Sequence, residues 1–275
     1  MSLEGQRIGF LGAGAMASAL AGGLAAAGVP RARLAASEPD PSRRAAFESQ
    51  LGSAVADNAS LIARSDLVVL AVKPGVVAAV LDELASVAEA QRRRVLWISI
   101  AAGVPLLRLE AGLPAGSRVI RAMPNTPALV RLGATAFCAN RAASASDRAA
   151  ARELFAGVGS VWEAPREELL DPVTAVSGSG PAYFFLLIEA LIDAGVENGL
   201  PADAARELAL QTALGAASLA RQSERSPGEL REQVTSPGGT TQAGLARLAA
   251  RDFRGAVADA VRAAAERSRE LGRGA

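Results

Sequence analysis

The sequence of 275 residues contains no histidine and a single cysteine, Cys138. A histidine proton relay, a serine–histidine–aspartate triad and a zinc site of histidine and cysteine ligands are therefore excluded within one chain. A framework of intrachain disulfides is excluded as well. We expect Cys138 to be a small buried side chain, and we expect no metal ion to take part in the function.

Net charge and aromatic content are also low. The formal net charge is +1 and aromatic residues make up 4% of the chain, while half of its residues are apolar. This balance is typical of a globular protein and provides no general attraction to nucleic acid or to a membrane surface. The sequence therefore favours a small-molecule ligand over a nucleic-acid or membrane partner.

No segment predicts a secretion signal or a membrane span. Residues 1–6 are polar, and the longest apolar-rich run, residues 182–192, carries Glu189 and is shorter than a bilayer requires. We therefore expect a soluble protein in the cytoplasm.

The first part of the chain alternates short β-rich runs with helical patterns, which indicates a parallel sheet with helices on both faces. Strands are predicted at residues 7–11, 32–36, 54–56, 66–72, 94–100, 118–122, 134–139 and 161–163. Helices are predicted at residues 15–27 and 41–51 and after Pro74. Beyond about residue 165 only helices are predicted, at residues 182–198, 202–221, 227–234, 242–251 and 254–271.

A glycine-rich turn follows the first predicted strand directly. It reads G-x-G-x-x-A and consists of Gly12, Ala13, Gly14, Ala15, Met16 and Ala17. In this pattern the first glycine allows a tight turn, the second lets a pyrophosphate approach the backbone, and the small third residue keeps the helix close to the sheet. The turn predicts a dinucleotide site at the helix N-terminus, and a plain strand–helix turn is the alternative.

The sequence thus predicts an α/β fold in two domains. A Rossmann-like dinucleotide-binding domain is expected over residues 1–165, and an all-helical dimerisation domain over residues 166–275. The helix at residues 183–192 is apolar nearly all round and must be covered on all sides. We therefore expect a homodimer in which such helices pack between subunits.

The end of the second predicted strand should meet the adenosine ribose. Glu38 favours the free 2′-hydroxyl of NAD(H), whereas Arg43 and Arg44 favour NADP(H). The choice between the two cofactors stays open here, and a solvated loop position for Glu38 is the alternative.

Two further strand ends are placed to contact the cofactor, because ligands of open parallel sheets lie at the carboxyl ends of the strands. One is the segment Ala71, Val72, Lys73 and Pro74, and the other contains Ile100, Ala101 and Ala102. Lys73, the only lysine of the chain, could meet a phosphate or the substrate anion. A surface lysine at a strand end is the alternative.

Four hydroxyl side chains surround a Pro-Gly-Gly turn at residues 235–241, immediately before a predicted helix. Glycines let a ligand approach the backbone, and a helix N-terminus offers unpaired amide donors. This turn predicts a site for a small anion, most simply a carboxylate. A tight turn with a threonine N-cap is the alternative.

These motifs occur in the order found in pyrroline-5-carboxylate reductases, which the chain resembles over essentially its whole length. The resemblance is carried by residues 12–17, 71–74, 121–127, 177–182 and 235–241. It implies reduction of Δ1-pyrroline-5-carboxylate to L-proline with NADPH or NADH, the last step of proline synthesis. It also implies interlocked dimers, which in the family often assemble into decamers.

The resemblance further implies roles for individual residues. The cofactor would contact the glycine-rich turn, Ser37, Glu38, Asn58, the segments 71–74 and 100–102, and Gln233. The substrate would contact Glu167, Ser236, Gly239, Thr240 and Thr241. Thr241 is the expected catalytic residue, because its hydroxyl could hydrogen-bond the ring nitrogen. Glu167 could favour the iminium cation, and a helix N-terminal acid is the alternative for it.

Two other classes of function share part of this pattern, namely a related imine or β-hydroxyacid reductase and a non-catalytic dinucleotide sensor. A β-hydroxyacid reductase would need a lysine base on a helix of its second domain, and this chain has no lysine beyond Lys73. The missing lysine argues against that enzyme. An imine reductase for a different ring stays open, and so does a non-catalytic dinucleotide sensor. A sensor would not need a carboxylate-binding turn.

Overall fold

A computed structural model describes residues 3–274, and within them eight strands form one sheet. The strand order is β3-β2-β1-β4-β5-β6-β7-β8. The strands are β1 (Ile8–Leu11), β2 (Leu34–Ser37), β3 (Ser53–Val55), β4 (Leu67–Leu70), β5 (Leu96–Ser99), β6 (Arg118–Met123), β7 (Gly133–Ala139) and β8 (Gly159–Glu163). All eight predicted strands are present, each with one or both ends moved by a few residues.

The sheet is parallel apart from one pair. β6 and β7 run antiparallel, and the other six pairings are parallel. The prediction of a parallel sheet is therefore confirmed except at this pair, whose antiparallel direction the sequence did not predict. Only residues 124–132 join the two strands, and a parallel connection needs a crossover of about a dozen residues or more.

Thirteen α-helices are present in the described residues. They are α1 (Ala15–Ala26), α2 (Pro41–Gln50), α3 (Asn58–Arg64), α4 (Val77–Leu84), α5 (Glu89–Arg94), α6 (Leu106–Ala111), α7 (Ala145–Ala156), α8 (Leu170–Val173), α9 (Gly180–Glu197), α10 (Ala202–Gln222), α11 (Pro227–Gln233), α12 (Thr240–Ala250) and α13 (Phe253–Gly274). A π-helical turn, Thr174–Gly178, lies between α8 and α9. The sequence did not predict α3, α5, α6, α7 or α8, most of which are two turns or less.

Two apolar cores cover the two faces of the sheet. Alternate residues of each central strand enter opposite cores, as the period of two in a β-strand requires. In β4, Leu67 and Val69 belong to one core, whereas Val68 and Leu70 belong to the other. Cys138 is 7% exposed in the second core, which confirms the prediction that it is a buried side chain. Burial raises the pKa of its thiol.

The chain divides into two compact units. Of the described residues, 3–179 and 262–274 make up the sheet unit, and residues 180–261 make up the helical unit. The predicted domain boundary between residues 165 and 166 stays a prediction, and the contacts divide the described chain instead before α9 and within α13. The reason is that the segment before α9 and the end of α13 pack within the sheet unit, where the Ser268 hydroxyl donates to Asp171 Oδ1 at 2.6 Å.

The helical unit leaves apolar side chains uncovered within a single chain. Phe184, Phe185 and Leu186 of α9 are 63–65% exposed. The helical stretch from Glu167 to Glu197 is also long and apolar enough to cross a membrane, judged by length and composition alone. The apolar run at residues 182–192, which by itself is too short to span a bilayer, is thus part of a longer helical stretch. The π-helical turn joins α8 to α9 and so extends it.

Candidate active site

The glycine-rich turn lies where β1 ends and α1 begins. Gly12 adopts a φ of +95°, and its amide donates to the Ser37 carbonyl at 2.7 Å. A Cβ built on Gly12 would lie 3.0 Å from the Ala71 carbonyl, so glycine is required for both conformation and space. A Cβ built on Gly14 would meet no atom within 4 Å, which leaves room for a phosphate beside this backbone.

The amino end of α1 is suited to an anion. Gly14 is the N-cap residue, and in the described structure no side chain caps the helix. The first amides of α1 therefore remain free to donate to a ligand. Ala17 is fully buried, as close packing of the helix on the sheet requires.

The carboxyl ends of four neighbouring strands, β2, β1, β4 and β5, lie level with one another. Leu11 pairs with Ser37 on one side and with Leu70 on the other, and Leu70 pairs with Ser99. The strand order reverses between β1 and β4, and dinucleotides bind at such a reversal. The structure therefore brings the turn at residues 12–17 together with residues 37–38, 71–74 and 100–102, although the sequence separates them widely.

The side chains at the end of β2 are buried and hydrogen-bonded. The Ser37 hydroxyl donates to Asn58 Oδ1, and Asn58 Nδ2 donates to Glu83 Oε2 at 3.0 Å. Glu38 is 6% exposed, and its Oε2 accepts from the Ala13 amide at 3.0 Å. The alternative of a solvated position for Glu38 is therefore wrong, because its carboxylate lies against the glycine-rich turn.

Residues at the ends of β4 and β5 differ in exposure. Ala101 is 3% exposed, and its amide donates to Ser99 Oγ at 3.3 Å. Lys73 is exposed and precedes a short 3₁₀ turn, Pro74–Val76. Both segments lie at the same edge of the sheet as the glycine-rich turn, and the contact of Lys73 with a phosphate stays a prediction.

The Pro-Gly-Gly turn leads into α12 in the helical unit. Gly238 has a φ of +71°, and its amide donates to Gln242 Oε1 at 2.6 Å. Gly239 is the N-cap residue of α12, and among the described residues no side chain caps that helix. A Cβ on Gly239 would lie 2.4 Å from Ser236 Oγ, so a larger residue would displace Ser236. The turn therefore presents free amides and the hydroxyls of Thr240 and Thr241.

Glu167 has partners that the sequence did not predict. Its Oε1 accepts from Arg121 Nη1 and from the Leu106 amide, both at 2.7 Å. The Arg121 side chain is 9% exposed and that of Glu167 is 25% exposed. The pair borders a cavity of about 240 Å³ that is also lined by Pro105, Glu168, Asp171, Arg269, Gly272 and Arg273. A substrate contact for Glu167 stays a prediction.

Asn125 holds three segments of the sheet unit together. Its Nδ2 donates to the Ser177 carbonyl at 2.9 Å, and its Oδ1 accepts from the Ala134 amide at 2.8 Å. It thereby links the end of β6 to the π-helical turn and to β7. Sequence reasoning named the segments around Asn125 and Ser177 only as family motifs, and it did not assign this contact.

Two family models match the chain. The model described as pyrroline-5-carboxylate reductase dimerisation matches residues 167–271, and the model described as NADP oxidoreductase, coenzyme F420-dependent, matches residues 7–103. Pyrroline-5-carboxylate reductase of Pseudomonas aeruginosa is 47% identical over 96% of each chain. The enzyme of Pisum sativum is 45% identical over 96% of this chain and 95% of its own.

Solved structures agree with this chain along its length. Pyrroline-5-carboxylate reductase of Coxiella burnetii has a TM-score of 0.90 and 37% identity, covering 97% of this chain and 98% of its own. The Plasmodium falciparum pyrroline carboxylate reductase with NADP bound has a TM-score of 0.87 and 34% identity, covering 98% of this chain and 99% of its own.

The sheet order, the glycine-rich turn and the two matched models define an oxidoreductase that uses a nicotinamide dinucleotide and has a helical dimerisation domain. The identities to relatives of the same length are far above those of chance similarity. The chain belongs to the pyrroline-5-carboxylate reductase family. It reduces Δ1-pyrroline-5-carboxylate to L-proline with NAD(P)H, which confirms the predictions of family, fold class, reaction and nicotinamide cofactor.

Proposed function

We propose that most cofactor contacts lie in the sheet unit and most contacts to the substrate carboxylate lie in the helical unit. The sheet unit holds NAD(P)H along the glycine-rich turn and the ends of β2, β4 and β5, with Gln233 as a further contact. The turn at residues 235–241 holds the carboxylate of the imine. The observation that supports this assignment most directly is that α1 and α12 each begin at a glycine without a side-chain cap.

The reaction places a hydride on the imine carbon and a proton on the ring nitrogen. NAD(P)H, when bound, supplies the hydride. An imine of this type is partly protonated near neutral pH, so the chain need not contain a strong acid, which agrees with its lack of histidine. The contribution of the protein is to hold and orient the ring for the transfer.

Thr241 is proposed to hydrogen-bond the ring nitrogen, while Ser236, Gly239 and Thr240 hold the carboxylate. Glu167 is proposed to stabilise the iminium cation electrostatically. Its charge is partly neutralised by Arg121 at 2.7 Å. We therefore expect loss of the Glu167 charge to affect the rate less than loss of the Thr241 hydroxyl.

The proposed assembly is a homodimer that buries the apolar side chains of α9, and the larger state implied by the family is a decamer built from such dimers. We propose that the protein is cytoplasmic and binds neither nucleic acid nor membrane. The apolar helix that is exposed in one chain can be covered by a second subunit, so its composition does not require a bilayer. The net charge of +1 also provides no attraction to nucleic acid.

Mixing the purified protein with pyrroline-5-carboxylate and NADH or NADPH tests the reaction. We expect the absorbance of the reduced nicotinamide to fall only when both reactants are present, with L-proline as the product. A six-membered cyclic imine carboxylate serves as the matched control, and it should react much more slowly. No oxidation of either cofactor would contradict the proposal and favour a nucleotide sensor, whereas faster turnover of the larger ring would favour a different imine reductase.

A further inference from the structure

Glu38 has a carboxylate that is buried yet not saturated with hydrogen bonds. Its Oε2 accepts from the Ala13 amide at 3.0 Å, and its Oε1 accepts from the Asp40 amide at 3.2 Å. A carboxylate can accept about four hydrogen bonds, so each oxygen keeps capacity for a ligand hydroxyl. The first of these bonds places the carboxylate against the turn that receives the pyrophosphate.

The nearby arginines have other partners. Arg44 Nη1 donates to the carbonyls of Glu38 and Pro39 at 2.7 and 2.8 Å. Arg43 Nη1 lies 4.0 Å from Glu38 Oε2, and its side chain is 63% exposed. Arg44 therefore anchors the backbone, and Arg43 lies beside an acid. Arg44 is thus already engaged, and the acid beside Arg43 offsets the attraction of its exposed guanidinium for a 2′-phosphate.

The amino end of α2 offers no substitute for such a site. Pro41 has no amide hydrogen, and Asp40 Oδ1 accepts from the amides of Ser42 and Arg43 at 2.8 and 3.1 Å. The Arg44 amide donates to the Asp40 carbonyl at 3.0 Å. The donors that could bind a phosphate at this helix end are thus already paired within the protein.

From these contacts we infer that the chain prefers NADH to NADPH and that Glu38 determines this specificity by accepting from the ribose 2′-hydroxyl. This inference rests on the proposed cofactor site and goes beyond it. Glu38 is 6% exposed, so its charge is poorly screened, and a 2′-phosphate would bring about two negative charges close to it. The structure of the Plasmodium falciparum relative has NADP bound. The inferred preference for NADH would therefore distinguish this chain from that relative.

Cofactor binding without substrate provides the first test. Titrations of the protein with NADH and with NADPH, followed by nicotinamide fluorescence, should give a lower Kd for NADH. For Glu38→Ser we expect the ratio of the two affinities to move towards NADPH by about tenfold or more, because one close like charge is removed. Glu38→Gln keeps an acceptor for the Ala13 amide and should move the ratio in the same direction.

A matched control is Glu89→Gln on α5, which removes an exposed carboxylate paired with Arg93. This variant should leave the affinity ratio unchanged. The ratio of kcat/KM for the two cofactors, measured with pyrroline-5-carboxylate, should shift in parallel with the affinity ratio.

Two results would overturn the inference. One is tighter binding of NADPH than of NADH by the unaltered protein. The other is an equal loss of affinity for both cofactors in Glu38→Ser and Glu38→Gln, because the carboxylate would then only brace the glycine-rich turn. Normal cofactor binding without turnover would instead contradict the proposed reaction and leave this inference standing.

Discussion

Thr241 is the residue on which the proposed substrate contact depends most directly. It is partly buried in the first turn of α12, where its hydroxyl adjoins amides that have no side-chain cap. We predict that Thr241→Ala raises KM and lowers kcat, with a loss of roughly 10- to 100-fold in kcat/KM for one charge-assisted hydrogen bond. Steady-state kinetics with saturating cofactor measure this effect.

Thr241→Ser is the control, since it keeps the hydroxyl and should restore most of the rate. Affinity for NADH should be the same in both variants, because Thr241 is assigned to the substrate and not to the cofactor. Unchanged kinetic constants in a folded Thr241→Ala protein would remove this residue from the mechanism.

Asp66 is a residue whose charge serves stability. Its carboxylate lies 2.9 Å from Arg7 Nη2 and 2.6 Å from Arg94 Nη1, and these hydrogen bonds hold its pKa well below the ordinary value of 3.8. A lowered pKa in the folded state adds stability that is complete above the ordinary pKa and is lost as the pH falls below it. We predict that Asp66→Asn lowers the free energy of unfolding near neutral pH by about 1–3 kcal/mol.

Urea denaturation of both proteins over a pH series measures this difference. It should shrink steadily below about pH 4, where the Asp66 carboxylate of the unfolded chain becomes protonated while that of the folded chain stays ionised. Glu89→Gln provides the comparison, because exposed pairs of this kind contribute about 0.5 kcal/mol or less. A difference for Asp66→Asn that does not change with pH would mean that the effect comes from packing rather than charge.

Residue identity alone predicted the kind of site but not its hydrogen bonds. The glycine-rich pattern and the acid at Glu38 were both recognisable, since spacing along the chain carries that information. The contact between Glu38 and the Ala13 amide joins residues 25 positions apart, and the pair of Arg121 with Glu167 joins residues 46 apart. Such contacts depend on which strand ends become neighbours, which no local pattern specifies.

At the scale of elements, Asn125 connects the end of β6, the π-helical turn and β7. It is 8% exposed, and it satisfies the Ser177 carbonyl and the Ala134 amide. Asn125→Ala would leave both groups without this partner in a buried region. We predict a loss of about 2–4 kcal/mol in the free energy of unfolding, since each unsatisfied group costs about 1–3 kcal/mol.

Asn198→Ala is a matched substitution on an exposed surface, where Nδ2 donates to the Ala194 carbonyl at 2.8 Å. It should cost less than about 1 kcal/mol, because water replaces this bond. Equal midpoints of thermal unfolding for the two variants would show that Asn125 does not hold these elements together.

Elements with a sustained apolar period were predictable, whereas α7, which has twelve residues, and several short helices were not. Strands and helices with a sustained apolar period, such as β4 and α10, lie within a few residues of their predicted places. Helices α5 and α6 have six residues each, which is too short for a helical period to emerge. The antiparallel pairing of β7 was missed because strand direction follows from the length of a connection rather than from composition.

At the scale of the whole molecule, the helical unit exposes an apolar surface that a single chain does not cover. Phe185 on α9 is 64% exposed, between neighbours that are exposed to a similar degree. Burying one such side chain contributes about 1.5–3 kcal/mol, and a twofold interface buries it once in each subunit. The apolar character of α9 therefore has a simple explanation in subunit association.

We predict that Phe185→Glu turns the assembly into monomers at concentrations where the unaltered protein is a dimer or larger. Sedimentation velocity over a range of concentrations measures the mass directly. Leu107→Glu places the same charge at an isolated leucine of α6 that is 77% exposed, and this variant should keep the original mass. If Phe185→Glu kept it too, α9 would not form the interface, and its apolar surface would have to be covered by something other than a second copy of the chain.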